Sequence, residues 1–174
     1  YWDFIPRVYY CHVQNLEIFS DENLTIDSAD GQHEGLKTDE DVQGFYINGN
    51  DTIEMQHFPR GLEKVFSNLI LIDIQKMKLR EIHKEDLQHF PKLRYLMLFF
   101  NDLEEIEADL FENNPELKKI YLYRNKIQHI DPHVFDNLPN LRTLWLEGNN
   151  CTSELEDYAN SRTKVLKLIR QVRD

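Results

Sequence analysis

The sequence has little of what catalytic and metal-binding domains usually need. It holds two cysteines, six glycines and six prolines in 174 residues. It contains no glycine-rich phosphate loop, no nucleophile elbow and no closely spaced cysteine pair that would bind a metal. We therefore predict that the protein is not an enzyme, needs no cofactor and has no metal site.

Positive charge and long apolar runs are also scarce. Twenty lysines and arginines stand against 31 aspartates and glutamates, which gives a net charge of −11. Because like charges repel, an acidic chain is a poor partner for nucleic acid or for an anionic membrane. No apolar run approaches the roughly 20 residues that cross a bilayer. We expect neither nucleic-acid binding nor membrane insertion.

The second half of the sequence contains a repeat of apolar positions with a 24-residue period. Four segments begin at Leu69, Leu93, Leu117 and Leu141. Each continues as LxxLxL, and the last two apolar residues of that pattern alternate with other residues as in a short strand. A fixed period of this length indicates a solenoid, in which each coil buries its apolar face against its neighbours.

An asparagine follows the strand in three of the repeats, at Asn101, Asn125 and Asn149. Its amide can donate and accept hydrogen bonds at once, so we expect it to satisfy backbone groups inside the turn. Met77 takes this place in one repeat, where the turn must be satisfied in another way. Apolar residues further along should fill the back of each coil, namely Leu87, Phe111 and Phe135.

These patterns predict an α/β solenoid with one short parallel β-strand per repeat. Residues 42–151 are the repeats, and the first of them begins at Val42, 27 residues before the next begins at Leu69. Residues 1–41 are predicted to be an N-terminal β cap, with a strand at Val13, Leu16 and Ile18 and with Leu24 and Ile26 beside it. Residues 152–174 are predicted to be a C-terminal capping helix. Its apolar stripe is Leu155, Tyr158, Val165, Leu168, Ile169 and Val172.

The pattern LxxLxLxxNxL resembles the "typical" 24-residue class of leucine-rich repeats, most clearly in 93–116 and 117–140. That class occurs mainly in extracellular proteins. The Asn149-Asn150-Cys151 ending and the sparse cysteines are similar to small secreted insect leucine-rich repeat proteins, in the style of the mosquito leucine-rich immune proteins. The resemblance implies a secreted recognition module and a role in innate immunity.

Three glycosylation sequons agree with a secreted protein. They begin at Asn23, Asn50 and Asn150, and we expect occupancy in the order Asn23, Asn150, Asn50. Asn50 is last because the first repeat also needs a turn asparagine. Cys11 and Cys151 lie at opposite ends of the solenoid, too far apart for a disulfide. Each is predicted to be free, or to pair with a cysteine outside this sequence or on another molecule.

The strand residues that face away from the core predict a partner-binding site. Because the fourth and sixth residues of each repeat face inward, the fifth and seventh lie on the concave face, and the eighth follows them. In three consecutive repeats these places hold Met97, Phe99, Phe100, Tyr121, Tyr123, Arg124 and Trp145. Aromatic residues, methionine and arginine are enriched at interface centres, and exposed apolar patches mark binding sites. Aromatic residues also suit strands and stack across them without binding a partner.

The predicted function is a secreted, non-enzymatic module that binds a protein or other macromolecule on this patch, with Lys76 and Glu147 at its margin. Two alternatives use the same solenoid: a structural protein that self-associates, and an intracellular regulator. Two features that suggest metal binding have simpler explanations. The acidic segment from Asp21 to Asp41 fails the calcium-loop spacing and is predicted to be a solvated loop. His129 and His133 are predicted to be surface residues.

Overall fold

The computed structural model describes residues 8–12, 25–26, 28, 33–49, 54–131, 133–151, 158–159, 163, 165–167 and 169. Within them one strand per coil builds a curved sheet of seven strands in the order β1-β2-β3-β4-β6-β8-β9. These strands are β1 (Tyr10–His12), β2 (Gly44–Asn48), β3 (Leu71–Gln75), β4 (Tyr95–Met97), β6 (Lys119–Tyr121), β8 (Thr143–Trp145) and β9 (Tyr158–Ala159). All neighbours are parallel except β8 and β9, so the predicted solenoid is confirmed.

The strand register follows the sequence repeat residue by residue. Ile72 pairs with Leu96, Leu96 with Ile120, and Ile120 with Leu144, each a step of 24 residues. In the irregular first repeat, Phe45 pairs with Ile72 across a step of 27 residues. The extra residues of that repeat therefore lie outside its strand, and Val42 aligns with Leu69.

The convex side of the coils holds short elements. They are a 3-10 helix at Asp39–Asp41, the single-turn helices α1 (Leu62–Val65) and α2 (Lys84–Leu87), and the two-stranded sheet of β5 (Glu105–Ile106) and β7 (His129–Ile130). Leu87, Phe111 and Phe135 are buried behind the strands, and the last two rings stack with centroids 6.2 Å apart. The prediction that these residues fill the back of each coil is confirmed.

The inward residues of the strands form one continuous core. Ile72, Leu96, Ile120 and Leu144 are fully buried in it, as are Ile74, Leu98, Leu122 and Leu146. The aromatic residues at the fifth and seventh places belong to a separate cluster. The alternation predicted from the sequence therefore divides the sheet into a core face and a concave face.

The turn asparagines act as predicted. Asn125 donates from Nδ2 to the carbonyl oxygens of Leu98 and Leu122, both at 2.9 Å, and its Oδ1 accepts from the Leu103 N–H at 3.1 Å. Asn101 and Asn149 repeat this arrangement in the adjoining coils. Each asparagine ties its own turn to the preceding coil, so that backbone groups buried in the turns are paired.

The turn that lacks an asparagine is completed by its neighbours. Asn101 Oδ1 accepts the Met77 N–H at 3.0 Å, and the Met55 N–H donates to the Met77 carbonyl oxygen at 2.7 Å. The Met77 side chain lies against Gly49, where an added Cβ would be 2.6 Å from the sulfur and 2.1 Å from the Lys76 carbonyl oxygen. Glycine at this position is therefore what admits methionine in place of asparagine.

Gly49→Ala is expected to destabilise the fold by about 1–3 kcal/mol, the usual cost of forcing extra volume into a packed site. The backbone carbonyl of Lys76 cannot move without disturbing the next coil, so the contact cannot be relieved cheaply. Denaturant unfolding should show a lower midpoint with an unchanged m-value. An unshifted midpoint would show that the Lys76 turn is free to move.

The two ends of the sheet differ in part from the sequence prediction. The strand predicted at Val13, Leu16 and Ile18 falls outside the described residues. The described strand β1 ends just before it, at His12. Ile26 lies beside the convex side of the next coil, where its N–H donates to the Arg60 carbonyl oxygen at 2.8 Å. The sequence predicts Ile26 beside the N-terminal strand. The isolated β-bridge between Thr25 and Arg60 instead holds this segment against the coil that contains Arg60.

At the C-terminal end, Tyr158 was predicted to lie on the helical stripe. It instead pairs with Trp145 in the antiparallel strand β9, because the last parallel strand leaves backbone groups that a returning chain can satisfy. Residues 163, 165–167 and 169 are helical, and Val165 and Ile169 are buried in the core one helical turn apart. Among the residues described, no helix is long and apolar enough to cross a membrane.

Candidate functional site on the concave sheet

Strands β4, β6 and β8 and the turns after them carry a continuous row of large side chains on the concave face. We define the concave stack as Met97, Phe99, Phe100, Tyr121, Tyr123 and Trp145. The parallel register places Met97 beside Tyr121 and Tyr121 beside Trp145. All the predicted patch residues are thus brought together, with Arg124 at the margin.

The rings of the concave stack contact one another across the strands. Tyr123 lies between Phe99 and Trp145, with centroid separations of 4.6 Å and 4.2 Å and nearly parallel planes. Tyr121 meets Trp145 edge to face at 5.8 Å. Offset and edge-to-face pairs of this kind are favoured by the ring quadrupoles and fix the orientation of each ring. The stack is therefore a pre-ordered surface.

The depth of the stack differs from the sequence prediction, which treated all of its members as exposed. Met97, Phe99 and Tyr123 are only 3–5% exposed, whereas Phe100 is 38% exposed and Tyr121 and Trp145 are half-buried. The reason is the stacking itself, since rings on adjacent strands cover one another. The surface available to a partner is therefore formed by Phe100, Tyr121 and Trp145, supported by a buried layer.

The margin of the stack carries charge. The Arg124 guanidinium lies over the Phe100 ring at 5.4 Å, and the Lys76 ammonium lies at 6.0 Å from the same ring. Lys76, Phe100 and Arg124 all have positive φ, between 53° and 57°. The Trp145 indole N–H donates to Glu147 at 2.9 Å. A left-handed backbone at this place in successive coils holds Phe100 and Arg124 in fixed positions at the rim.

Asp73 is a further residue of the concave face that the sequence analysis did not single out. It lies in β3 between the inward-facing Ile72 and Ile74, so it faces the concave side, but it is only 3% exposed. Gln75 Nε2 donates to its Oδ1 at 2.7 Å. Burial raises the pKa of Asp73 to about 7, with the Gln75 hydrogen bond opposing the rise. A lone aspartate at an outward strand place gave no sequence signal of burial.

The described sequon asparagine, Asn150, is exposed as predicted, and its Nδ2 donates to the Lys126 carbonyl oxygen at 3.3 Å. Asn23 and Asn50 lie outside the described residues. Cys11 and Cys151 are unbonded and half-buried, and burial raises the pKa of both thiols. Thiols of this kind are poorer nucleophiles at neutral pH than exposed ones.

The histidines noted in the sequence are surface residues. His129 and His133 are both exposed, and His133 Nδ1 lies 3.1 Å from Asp136. Within the described part of the chain, no three side chains of the metal-binding types converge. Of the acidic segment, residues 25–26, 28 and 33–41 are described, and its end forms the 3-10 helix Asp39–Asp41 where a loop was expected.

Comparison with known proteins agrees with this geometry. Residues 96–150 match the family model described as "Leucine rich repeat". A chain of the Toll–Spatzle complex, described as a molecular hub in Drosophila development and innate immunity, superposes with a TM-score of 0.57 at 19% identity. That superposition covers 63% of this chain and 14% of the other. Comparison with curated proteins gave no match.

Two further solved structures are similar. The APL1 leucine-rich repeat domain gives a TM-score of 0.53 at 21% identity, covering 63% of this chain and 28% of the other. A chain of the LRIM1/APL1C complex gives 0.53 at 21% identity, covering 70% and 23%. This chain thus spans less than a third of the length of each of these proteins. Identities this low concern the fold alone, and the chain folds as a leucine-rich repeat solenoid.

Proposed function

We propose that this protein is a secreted, non-enzymatic recognition module that binds another protein through the concave stack. The observation that carries the proposal is the accessible aromatic surface of Phe100, Tyr121 and Trp145 on a buried aromatic layer. Large aromatic side chains supply contact area with few rotatable bonds, and they dominate the energy of many interfaces.

The order within the stack lowers the cost of binding. Immobilising a flexible side chain costs about 0.5–1.5 kcal/mol on association. The rings of Tyr121 and Trp145 are already held by contacts with each other and with Tyr123. A partner would therefore desolvate an apolar surface without ordering it, while Arg124, Lys76 and Glu147 at the margin set its orientation.

The solved structures support the proposal by analogy. The Toll–Spatzle and LRIM1/APL1C structures are complexes of proteins, and the former is described in terms of innate immunity. A protein partner, an extracellular location and a role in immunity are proposed for this chain on that basis, together with the exposed sequon at Asn150. Self-association through the same surface is an outcome that the experiment below detects.

Phe100→Ala combined with Tyr121→Ala is expected to weaken partner binding by at least about a hundredfold, as truncation of interface anchors does. Partners would be captured from extracellular fluid, identified by mass spectrometry, produced separately and measured by calorimetry. Leu166→Ala is the matched control, because it removes an exposed apolar side chain that does not belong to the stack.

Three results would contradict the proposal. The first is unchanged affinity in the double variant. The second is equal loss in the Leu166→Ala control. The third is a mass in sedimentation that rises with concentration in the wild type and not in the double variant, which would assign the stack to self-association.

A further inference from the structure

Among the described residues of the concave face, Asp73 is a buried acidic group that forms no ion pair. Asp73 is 3% exposed, and none of the ion pairs formed by the described residues includes it. The Asp73 carboxyl group accepts a hydrogen bond from the neutral amide of Gln75. Burying a carboxylate that is not paired with a cation is costly, and buried charges in proteins are normally paired.

Asp73 adjoins the surface proposed to bind a partner. Its backbone pairs with Met97, the first member of the concave stack, on one side and with Tyr46 on the other. The side chain that hydrogen bonds to it, Gln75, is itself partly exposed on the same face. Because the Gln75 amide belongs to a flexible, partly exposed side chain, it can leave the carboxylate without a change in the backbone.

We propose that Asp73 receives a lysine or arginine side chain of the protein that docks on the concave stack, and that this cation displaces the Gln75 amide. The proposal rests on the proposed function, because it assigns partner chemistry at that same surface. The expected partner is a protein segment with two features. An apolar part covers Phe100, Tyr121 and Trp145, and a lysine or arginine side chain points toward β3. The net charge of −11 also attracts a basic segment, because opposite charges speed the approach of two proteins.

None of the described residues that surround Asp73 on the neighbouring strands is acidic. From β2, Tyr46 lies beside it, and His12 of β1 stacks on Tyr46 with ring centroids 4.6 Å apart. From β4 come Met97 and Tyr95, and the Lys119 ammonium lies 5.8 Å from the Tyr95 ring. A partner cation would thus meet one carboxylate in an apolar and aromatic setting, where a charge-assisted hydrogen bond is strong.

The test begins with a random peptide display library selected on the wild-type protein. Peptides that depend on the stack are those that bind the wild type and not the Phe100→Ala, Tyr121→Ala variant. We expect these peptides to be enriched in lysine or arginine, and Asp73→Asn to lower their affinity by about ten- to a hundredfold. The asparagine has the same shape and keeps the Gln75 contact, so the binding surface is retained.

Two controls separate the outcomes. Glu105→Gln removes an exposed acid from β5, which is not part of the concave sheet, and it is expected to leave the affinity unchanged. Replacing the peptide cation by norleucine should abolish the difference between wild type and Asp73→Asn. A selection that yields no stack-dependent peptide would overturn both this proposal and the proposed function.

A selection that yields stack-dependent peptides without basic residues, or peptides that bind Asp73→Asn equally well, would overturn the Asp73 proposal alone. The pH dependence gives an independent measure. Because the cation requires the ionised carboxylate, affinity should rise by about tenfold between about pH 6 and about pH 8 in the wild type and stay level in Asp73→Asn. Histidines gain charge in the same range, so His12→Gln is the control and should keep the wild-type rise.

Discussion

Asp73→Asn is expected to stabilise the isolated protein by up to about 4 kcal/mol at about pH 8 and to leave its stability unchanged at about pH 3. The pKa of Asp73 rises from 3.8 to about 7 on folding, because the carboxyl group is buried. Between these two values the unfolded chain is ionised at this residue while the folded chain holds a proton.

The sign follows from that difference. As pH rises from 3.8 towards 7, the unfolded state loses a proton that the folded state keeps, so the folded wild type loses stability. Above about pH 7 the cost is complete, because the folded carboxylate is then charged and buried. Asparagine carries no such charge, so the variant lacks this loss.

The measurement is denaturant unfolding of both proteins across this pH range. The control is Glu147→Gln, which removes a carboxylate from the exposed margin, where solvent screens the charge. Its free energy of unfolding should follow the wild type at every pH. A stability difference between Asp73→Asn and the wild type that does not vary with pH would contradict the burial of an ionisable carboxyl group in this position.

Leu98→Ala and Leu122→Ala are each expected to lower the free energy of unfolding by about 2–5 kcal/mol, the range for buried leucines. Both side chains are fully buried in adjacent coils. Each truncation leaves a cavity that the strands on either side cannot fill, because their positions are fixed by the ladder of backbone hydrogen bonds.

Leu36→Ala and Leu166→Ala serve as controls, since neither side chain is part of the buried core. Their free energies of unfolding should stay within about 0.5 kcal/mol of the wild type, as for ordinary surface substitutions. If Leu98→Ala behaved like these controls, the assignment of the sixth residue of each repeat to the core would be wrong.

Much of the fold could be predicted because the repeat fixes the parity of every strand. Knowing that Leu96 and Leu98 face the core is enough to place Met97 and Phe99 on the concave face. The alternation of inward and outward residues does not, however, predict how deeply each outward side chain is buried. Phe99 and Phe100 are adjacent in the sequence, yet one is covered by Tyr123 and the other forms the rim. That difference arises from contacts between coils, which a single strand does not encode.

The ends of the solenoid and Asp73 show the same limit. Val13, Leu16 and Ile18 lie outside the described residues, and the described strand Tyr10–His12, which pairs through Cys11 with Phe45, was not indicated by the apolar spacing. Tyr158 fits a helical stripe by spacing alone and is drawn into a strand by the unpaired edge of β8. An aspartate in a strand suggests exposure, and only the neighbouring coils make Asp73 a buried residue.

The departures from perfect repetition determine the order in which the coils can stack. Met77 fits against Gly49, and a larger residue at that place, such as Phe100 or Arg124 in later coils, would occupy the space of its sulfur. Asn114 stands where the adjoining coils have Phe90 and Leu138, and its amide donates to the carbonyl oxygens of Leu87 and Phe90, both at 2.9 Å. A coil placed beside any other coil would lose these contacts, so the coils are not interchangeable and each fits one neighbour.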